Sequence, residues 1–203
     1  MTRTAPIPVG VALGTIGLEG DAWLRAASRL ATGQIDRLWI WDHLMGRGAP
    51  DRPVLEATTL AAAALALNPN LRVGTLVLDV TKRHPALTAK IAATLDAIAP
   101  GRFTLGIGAG GDAAEHDALG MPYGEVSERI AALAEQVAVA RAMLSGDPSE
   151  RITLTAPGRL TGAASAPRPG ASVRLLIAGD HPSSISLAAT CGDEWVAPAA
   201  TFA

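Results

Sequence analysis

The chain has 203 residues, enough to bury a sizeable core as one domain, and a formal net charge of −2. Aromatic residues make up only 3%, and no basic patch with interleaved aromatics occurs, so nucleic-acid binding has no support. The single cysteine, Cys191, excludes an internal disulfide and any multi-cysteine metal site.

Strand-like and helix-like segments alternate from the start. Pro8 to Leu13 reads as an apolar strand, and Asp21 as the N-cap of a helix to about Ala31. Arg37 to Trp41 is the second strand and ends in Asp42-His43. A loop with Gly46, Gly48 and Pro50 follows, and Pro53 fits the first turn of a helix reaching about Leu67. That helix holds the longest apolar run, Leu60 to Leu67, which is too short to span a bilayer. The N-terminal MTRTAPIPVG lacks a signal pattern, so a cytoplasmic protein is expected.

Arg72 to Gly111 is the most informative stretch. It reads as a buried parallel strand, a helix with Leu87, Ile91, Leu95 and Ile98 on its apolar face, and a strand from Arg102 to Ile107. Gly106, Gly108, Gly110 and Gly111 close it, a bare rim where α/β proteins bring backbone N–H groups to phosphates. These glycines lack a Rossmann context, which needs a first-strand position and an acidic residue at the next strand end. A polar stretch with Asp112, Glu115 and His116 precedes a long helix from about Glu125 to Leu144. Residues 145–172 are rich in Gly, Pro, Ser and Thr and read as an irregular insertion, with a hairpin suggested by Ile152 to Thr155. The alternation resumes with a strand from Val173 to Ala178, a helix to Cys191 capped by Gly192, and a strand near Glu194 to Val196. Six βα-type strands predict a parallel sheet, barrel-like or doubly wound, whereas a complete eight-unit barrel needs about 250 residues.

Four stretches resemble the luciferase-like monooxygenase family, especially its deazaflavin-dependent branch. They are WDHL at Trp41 to Leu44, the segment Val73 to Gly111, EHDALGMPY at Glu115 to Tyr123, and LLIAGDHPSSISLAATCGDEWVAP at Leu175 to Pro198. They follow the family's order and cover most of the chain. The resemblance implies a TIM (β/α)8-type barrel truncated to about six strands, a single domain over residues 1–203. It further implies an F420- or FMN-dependent oxidoreductase or monooxygenase acting on a small organic substrate, by hydride transfer or oxygen activation. The alternative is a non-catalytic flavin-binding protein derived from a shortened barrel. Open barrel edges also imply a covering partner, a second copy or another chain.

The resemblance assigns Asp42 and His43 to contact with the coenzyme ring, and His43 to proton donation. Read from the residues alone, the pair caps a strand end and orders the loop. Leu76 and Val77 fall where relatives often have a non-prolyl cis peptide; the shortened barrel weighs toward an ordinary buried strand here. Asp79 stands where relatives often carry a small polar residue near the cofactor. Ala109, Gly110 and Gly111 would offer backbone N–H groups, although some deazaflavin sugar-phosphate dehydrogenases carry a glutamate base at the position of Gly111. Ala178 and Gly179 enter the phosphate-gripping loop after the fifth strand, with Asp180 replacing its second glycine. His84 reads as a cap or packing residue, His181 as a solvated loop histidine, and Cys191 as a small buried residue. Glu115 and His116 have no visible third metal ligand, and Arg102, Glu128 and Arg129 read as members of structural ion pairs.

Overall fold

The structure, a computed structural model, describes residues 8–32, 35–46, 48, 51–169 and 173–198. Residues 1–7 of the N-terminal stretch, Pro50 and the 170–172 end of the expected insertion lie outside the described residues.

Six parallel strands form the sheet in the order β1 (Gly10–Leu13), β2 (Arg37–Ile40), β3 (Val73–Thr75), β5 (Phe103–Gly108), β8 (Arg174–Ala178) and β9 (Glu194–Val196). The two-residue β4 (Leu78–Asp79) continues β3 and pairs with β5. Helices α1 (Gly20–Ala31), α2 (Ala57–Leu67), α3 (Pro85–Ile98), α5 (Val126–Leu144) and α6 (Pro182–Cys191) connect successive strands, as βα units require. The result is an open barrel with β1 and β9 at its edges. Alternate residues of each strand face the helices: Leu38 and Ile40, then Phe103, Leu105 and Ile107, then Leu175 and Ile177 are all buried.

The opposite face carries Arg37, Trp39, Arg174 and Leu176 among smaller residues. The indole of Trp39 lies where a Cβ on Gly10 or Gly74 would come within 2.5 or 2.3 Å. Beneath it, the Arg37 guanidinium donates both to Glu194 Oε1 (3.0 Å) and Oε2 (2.9 Å). Arg37 is on β2 and Glu194 on β9, so this half-buried pair spans the barrel interior between strands that are not sheet neighbours. Arg174 also donates to Glu194, at 2.6 Å.

Several local expectations are corrected. α1 begins at Gly20, and Asp21 sits in its first turn paired to Arg25 instead of capping it. α2 begins at Ala57 because residues 53–55 are drawn into pairing with the β1 loop: Gly17 N–H donates to Pro53 O (2.8 Å) and Leu55 N–H to Thr15 O (3.0 Å). Glu56 then caps the helix, accepting from the N–H groups of Thr58 and Thr59. On α3, Leu87 and Ile98 are 53% and 44% exposed; the buried face is Ala89, Ala92, Ala93 and Leu95, since alanines let α3 and α5 approach closely. The expected hairpin is present as antiparallel β6 (Ile152–Leu154) and β7 (Leu160–Ala163). The short α4 (Ala113–Ala118), read from sequence only as a polar stretch, begins at an Asp112 cap whose carboxylate accepts from Glu115 N–H.

The third strand is also not an ordinary one. The Leu76–Val77 peptide bond is cis, and the ladder breaks there between β3 and β4. The sequence could not separate this from a continuous strand, because the apolar run from Leu76 to Leu78 suits either.

Candidate functional site

The C-terminal ends of the strands surround a cleft of about 830 Å³. Ten residues that the sequence singled out for a ligand line it, Asp42, His43, Leu76, Val77, Asp79, Ala109, Gly110, Gly111, Ala178 and Gly179, whereas Gly106 of the expected rim does not. Residues far apart in the chain therefore meet on the face where barrel enzymes carry their chemistry.

Each member of the glycine rim has its own surroundings. A Cβ on Gly106 would fall 1.9 Å from Thr75 O, and one on Gly108 would fall 2.8 Å from a Val77 methyl. Both vacant side-chain volumes are thus filled by the Thr75–Val77 bulge. Gly110 has φ +82°, and a Cβ there would lie 2.7 Å from both Asp79 carboxylate oxygens. At Gly111 a Cβ would meet nothing within 4 Å, so this residue alone leaves its backbone open to the cleft.

Asp42 reaches the cleft, but its carboxylate is turned to the protein. It accepts Arg83 Nη1 and Nη2 in a bidentate pair, both at 2.7 Å, and the backbone N–H of Asp79 at 2.9 Å. Arg83 also donates to Glu56 (2.8 Å), which joins the β2 loop, the start of α3 and the cap of α2. Burial works against the guanidinium charge, and the two carboxylates outweigh it, raising the Arg83 pKa.

Next to Asp42, the Lys82 ammonium donates to the Asp42 carbonyl (2.7 Å) and to Glu115 Oε2. The other oxygen of Glu115 accepts the N–H groups of Leu44 (2.7 Å) and Met45 (2.8 Å). Burial alone would raise the Glu115 pKa, but Lys82 and these two N–H groups lower it below the usual carboxylate range. The His43 ring lies in the cleft at 27% side-chain exposure, with Glu115 Oε1 3.7 Å and Asp112 Oδ2 4.0 Å from its Nδ1. That nitrogen is buried and has no hydrogen-bond partner among the described residues.

Asp79 accepts from Thr81 N–H (2.9 Å) and Thr81 Oγ1 (2.6 Å), and its Oδ2 lies 3.5 Å from His116 Nε2. His116 is fully buried, and its Nδ1 donates to Asp112 O at 2.8 Å. No cluster of metal-ligating side chains occurs among the described residues.

The remaining candidates are structural in several ways. His84 and His181 cap α3 and α6, each accepting a backbone N–H two residues on at 3.2 Å. His181 is exposed, as a solvated residue should be, and its place is the cap of α6 at the cleft margin. Arg102 and Arg129 make no carboxylate pair among the described residues. Arg102 donates to the carbonyls of Leu65, Asn68 and Leu71, closing the end of α2. Arg129 donates to Ala109 O and Gly124 O and stacks 4.0 Å from the Tyr123 ring. Glu128 folds back onto the Glu125 N–H in a capping box. Cys191 is half-buried.

Sequence reasoning missed the roles of Lys82, Arg83 and Glu115. A local signal existed for Glu115, since Asp112-Ala-Ala-Glu115 has the spacing of a helix start. Lys82 and Arg83 act on partners about forty residues away, at |i−j| of 40 and 41, which no local pattern encodes.

A family model described as luciferase-like monooxygenase matches residues 5–202. An F420-dependent glucose-6-phosphate dehydrogenase of Beutenbergia cavernae is 35% identical over 165 residues, covering 79% of this chain and 46% of the relative. A 4-hydroxyprotoasukamycin monooxygenase of Streptomyces nodosus subsp. asukaensis is 33% identical over 120 residues, covering 58% of this chain and 30% of the relative. Among solved structures, an F420-dependent secondary alcohol dehydrogenase superposes with a TM-score of 0.82 at 24% identity, over 94% of this chain and 57% of that one. The chain spans about half the length of the curated dehydrogenases it matches. No helix among the described residues is long and apolar enough to cross a membrane.

Proposed function

Because the chain belongs to the luciferase-like monooxygenase family, we propose that its cleft binds coenzyme F420 and that the protein is a deazaflavin-dependent oxidoreductase. Reduced FMN is the alternative cofactor. The observation that carries this reading is the convergence on one cleft of His43, the Leu76–Val77 bulge and the open backbone at Gly111.

The residues present fit such a group. The Leu76–Val77 bulge and Gly108 to Gly110 would form the wall against a planar ring, and the Gly111 backbone would meet its polar edge. Ala178 and Gly179 would flank the phosphate-bearing side chain, and Asp180, which also lines the cleft, is the one residue there whose charge opposes a phosphate. A reduced deazaflavin supplies hydride to an acceptor, whereas reduced FMN supplies electrons for oxygen activation. The protein's part is to orient the small organic substrate, exclude water and exchange a proton at the His43 ring. Asp42 contributes by fixing the loop through Arg83.

The relatives' sugar phosphate is not carried over to this chain, because Gly111 offers no carboxylate base. That substitution and Asp180 favour the second reading, a flavin-binding protein without turnover. A cytoplasmic location and a second copy or other chain covering the β1 and β9 edges belong to the same proposal.

Titration of the purified protein with F420 and FMN, read by absorbance, separates the cofactors. His43→Ala is expected to keep the cofactor affinity within a few-fold and to lower turnover by about 10²–10⁴. Binding without turnover in the unaltered protein, and no effect of His43→Ala, would select the second reading. Binding of neither cofactor would end both.

A further inference from the structure

We infer that Glu115 is the positioning residue of His43, held in place by Lys82, and that Asp42 does not fill this role. Three hydrogen bonds to the backbone of Asp42, Leu44 and Met45 bracket His43 along the chain. Lys82 donates to the carbonyl of Asp42, immediately before it, and Glu115 accepts the N–H groups of Leu44 and Met45, immediately after it. Lys82 and Glu115 pair with each other at 4% and 3% side-chain exposure, so neither charge has solvent as an alternative partner. The pair joins the segment after β4 to the short helix after β5, and both anchor to the loop after β2.

Glu115 also faces the His43 ring. The Oε1 atom that holds the loop is 3.7 Å from the buried Nδ1, which has no hydrogen-bond partner among the described residues. A neutral imidazole carries one proton, on either nitrogen, and the group facing the buried nitrogen selects which. A carboxylate at this place favours Nδ1–H. That leaves Nε2 as the nitrogen that takes up and returns a proton. Asp42 cannot make this selection, because Arg83 and the Asp79 N–H occupy its carboxylate. The second nearby acid, Asp112, is farther at 4.0 Å and accepts the Glu115 N–H as the cap of its helix.

The role of His43 in turnover rests on the function proposed above, whereas the tautomer does not require any cofactor. The test is therefore made first on the full chain without cofactor, with ¹⁵N-labelled histidine rings and long-range proton–nitrogen correlation. The expected result is Nδ1–H at His43, shifting to Nε2–H in Glu115→Gln, whose amide oxygen stays with the Lys82 ammonium so that its NH2 faces Nδ1. Lys82→Met, which keeps the Glu115 carboxylate on the Leu44 and Met45 N–H groups, and Asp112→Asn should both leave it unchanged. With cofactor present, Glu115→Gln is expected to lower kcat by about tenfold while the cofactor Kd stays within twofold. An Nε2–H ring in the unaltered protein overturns the inference without any variant. So does an unchanged tautomer in Glu115→Gln, or a shift caused by Asp112→Asn alone. Failure to bind either cofactor would remove the proposed function and leave the tautomer result standing.

Discussion

A methyl group on Gly106 would sit 1.9 Å from the Thr75 carbonyl oxygen, whereas one on Gly111 would meet nothing within 4 Å. Two glycines five residues apart therefore make opposite predictions. Gly106→Ala is expected to destabilise the fold by about 3 kcal/mol, at the upper end of overpacking costs. Gly111→Ala should change stability by no more than about 0.5 kcal/mol, while weakening cofactor binding. Denaturant midpoints together with cofactor titration check both. The rim was legible in the sequence as a run of glycines, but what each one accommodates was not. The atoms that fill the space belong to Thr75, Val77 and Asp79, some thirty residues upstream. The same holds for Asp42, which the sequence offered to a ligand and the structure ties to Arg83. Removing that buried carboxylate leaves the Arg83 guanidinium with Glu56 as its remaining partner, so Asp42→Ala is expected to cost about 3 kcal/mol, the lower end for breaking a buried pair, read by chemical denaturation.

Elements were most legible where a local rule decides them. His84-Pro85 and His181-Pro182 both start helices, with the imidazole as cap and proline in the first turn. The α3 face was half legible: Leu95 is buried and Ile91 packs against the core, whereas Leu87 and Ile98 are exposed and Ala89, Ala92 and Ala93 complete the buried side. The start of α2 was misread because tertiary pairing of residues 53–55 overrode the proline signal. Its actual cap gives a pH prediction. Burial would raise the Glu56 pKa, but the N–H and hydroxyl groups of Thr59 and Thr58 outweigh it and lower it from 4.5 to about 2. Glu115 and Glu194 are lowered as well. A carboxyl group depressed on folding stabilises the native state above its unfolded value, and that contribution is lost as pH falls through the folded value. Stability should therefore decline between about pH 4.5 and pH 2, and Glu56→Gln should flatten part of that decline in melting curves recorded across the range.

For the molecule as a whole, the strand count and parallel order were legible from the βα rhythm, because each strand is short, apolar and followed by its own helix. What holds an open sheet in a barrel's curvature was not. The Arg37–Glu194 pair connects β2 to β9 through the interior, across strands that never pair directly. Glu194→Gln should therefore loosen β9, seen as faster amide exchange at Leu176 to Ala178 and Glu194 to Val196, with β2 and β3 little changed. The same barrel mouth carries Trp41 in its wall, 39% exposed, while Trp23 is fully buried elsewhere. An indole so placed is an optical gauge of occupancy. A ring that absorbs in the near ultraviolet will drain the Trp41 emission as it enters, so a label-free quenching isotherm reports the filling of the cleft. In Trp41→Phe that quenching should shrink, the remainder coming from Trp39 and from Trp195, whose indole donates to Gly179 O at the cleft, while absorbance still records the ligand.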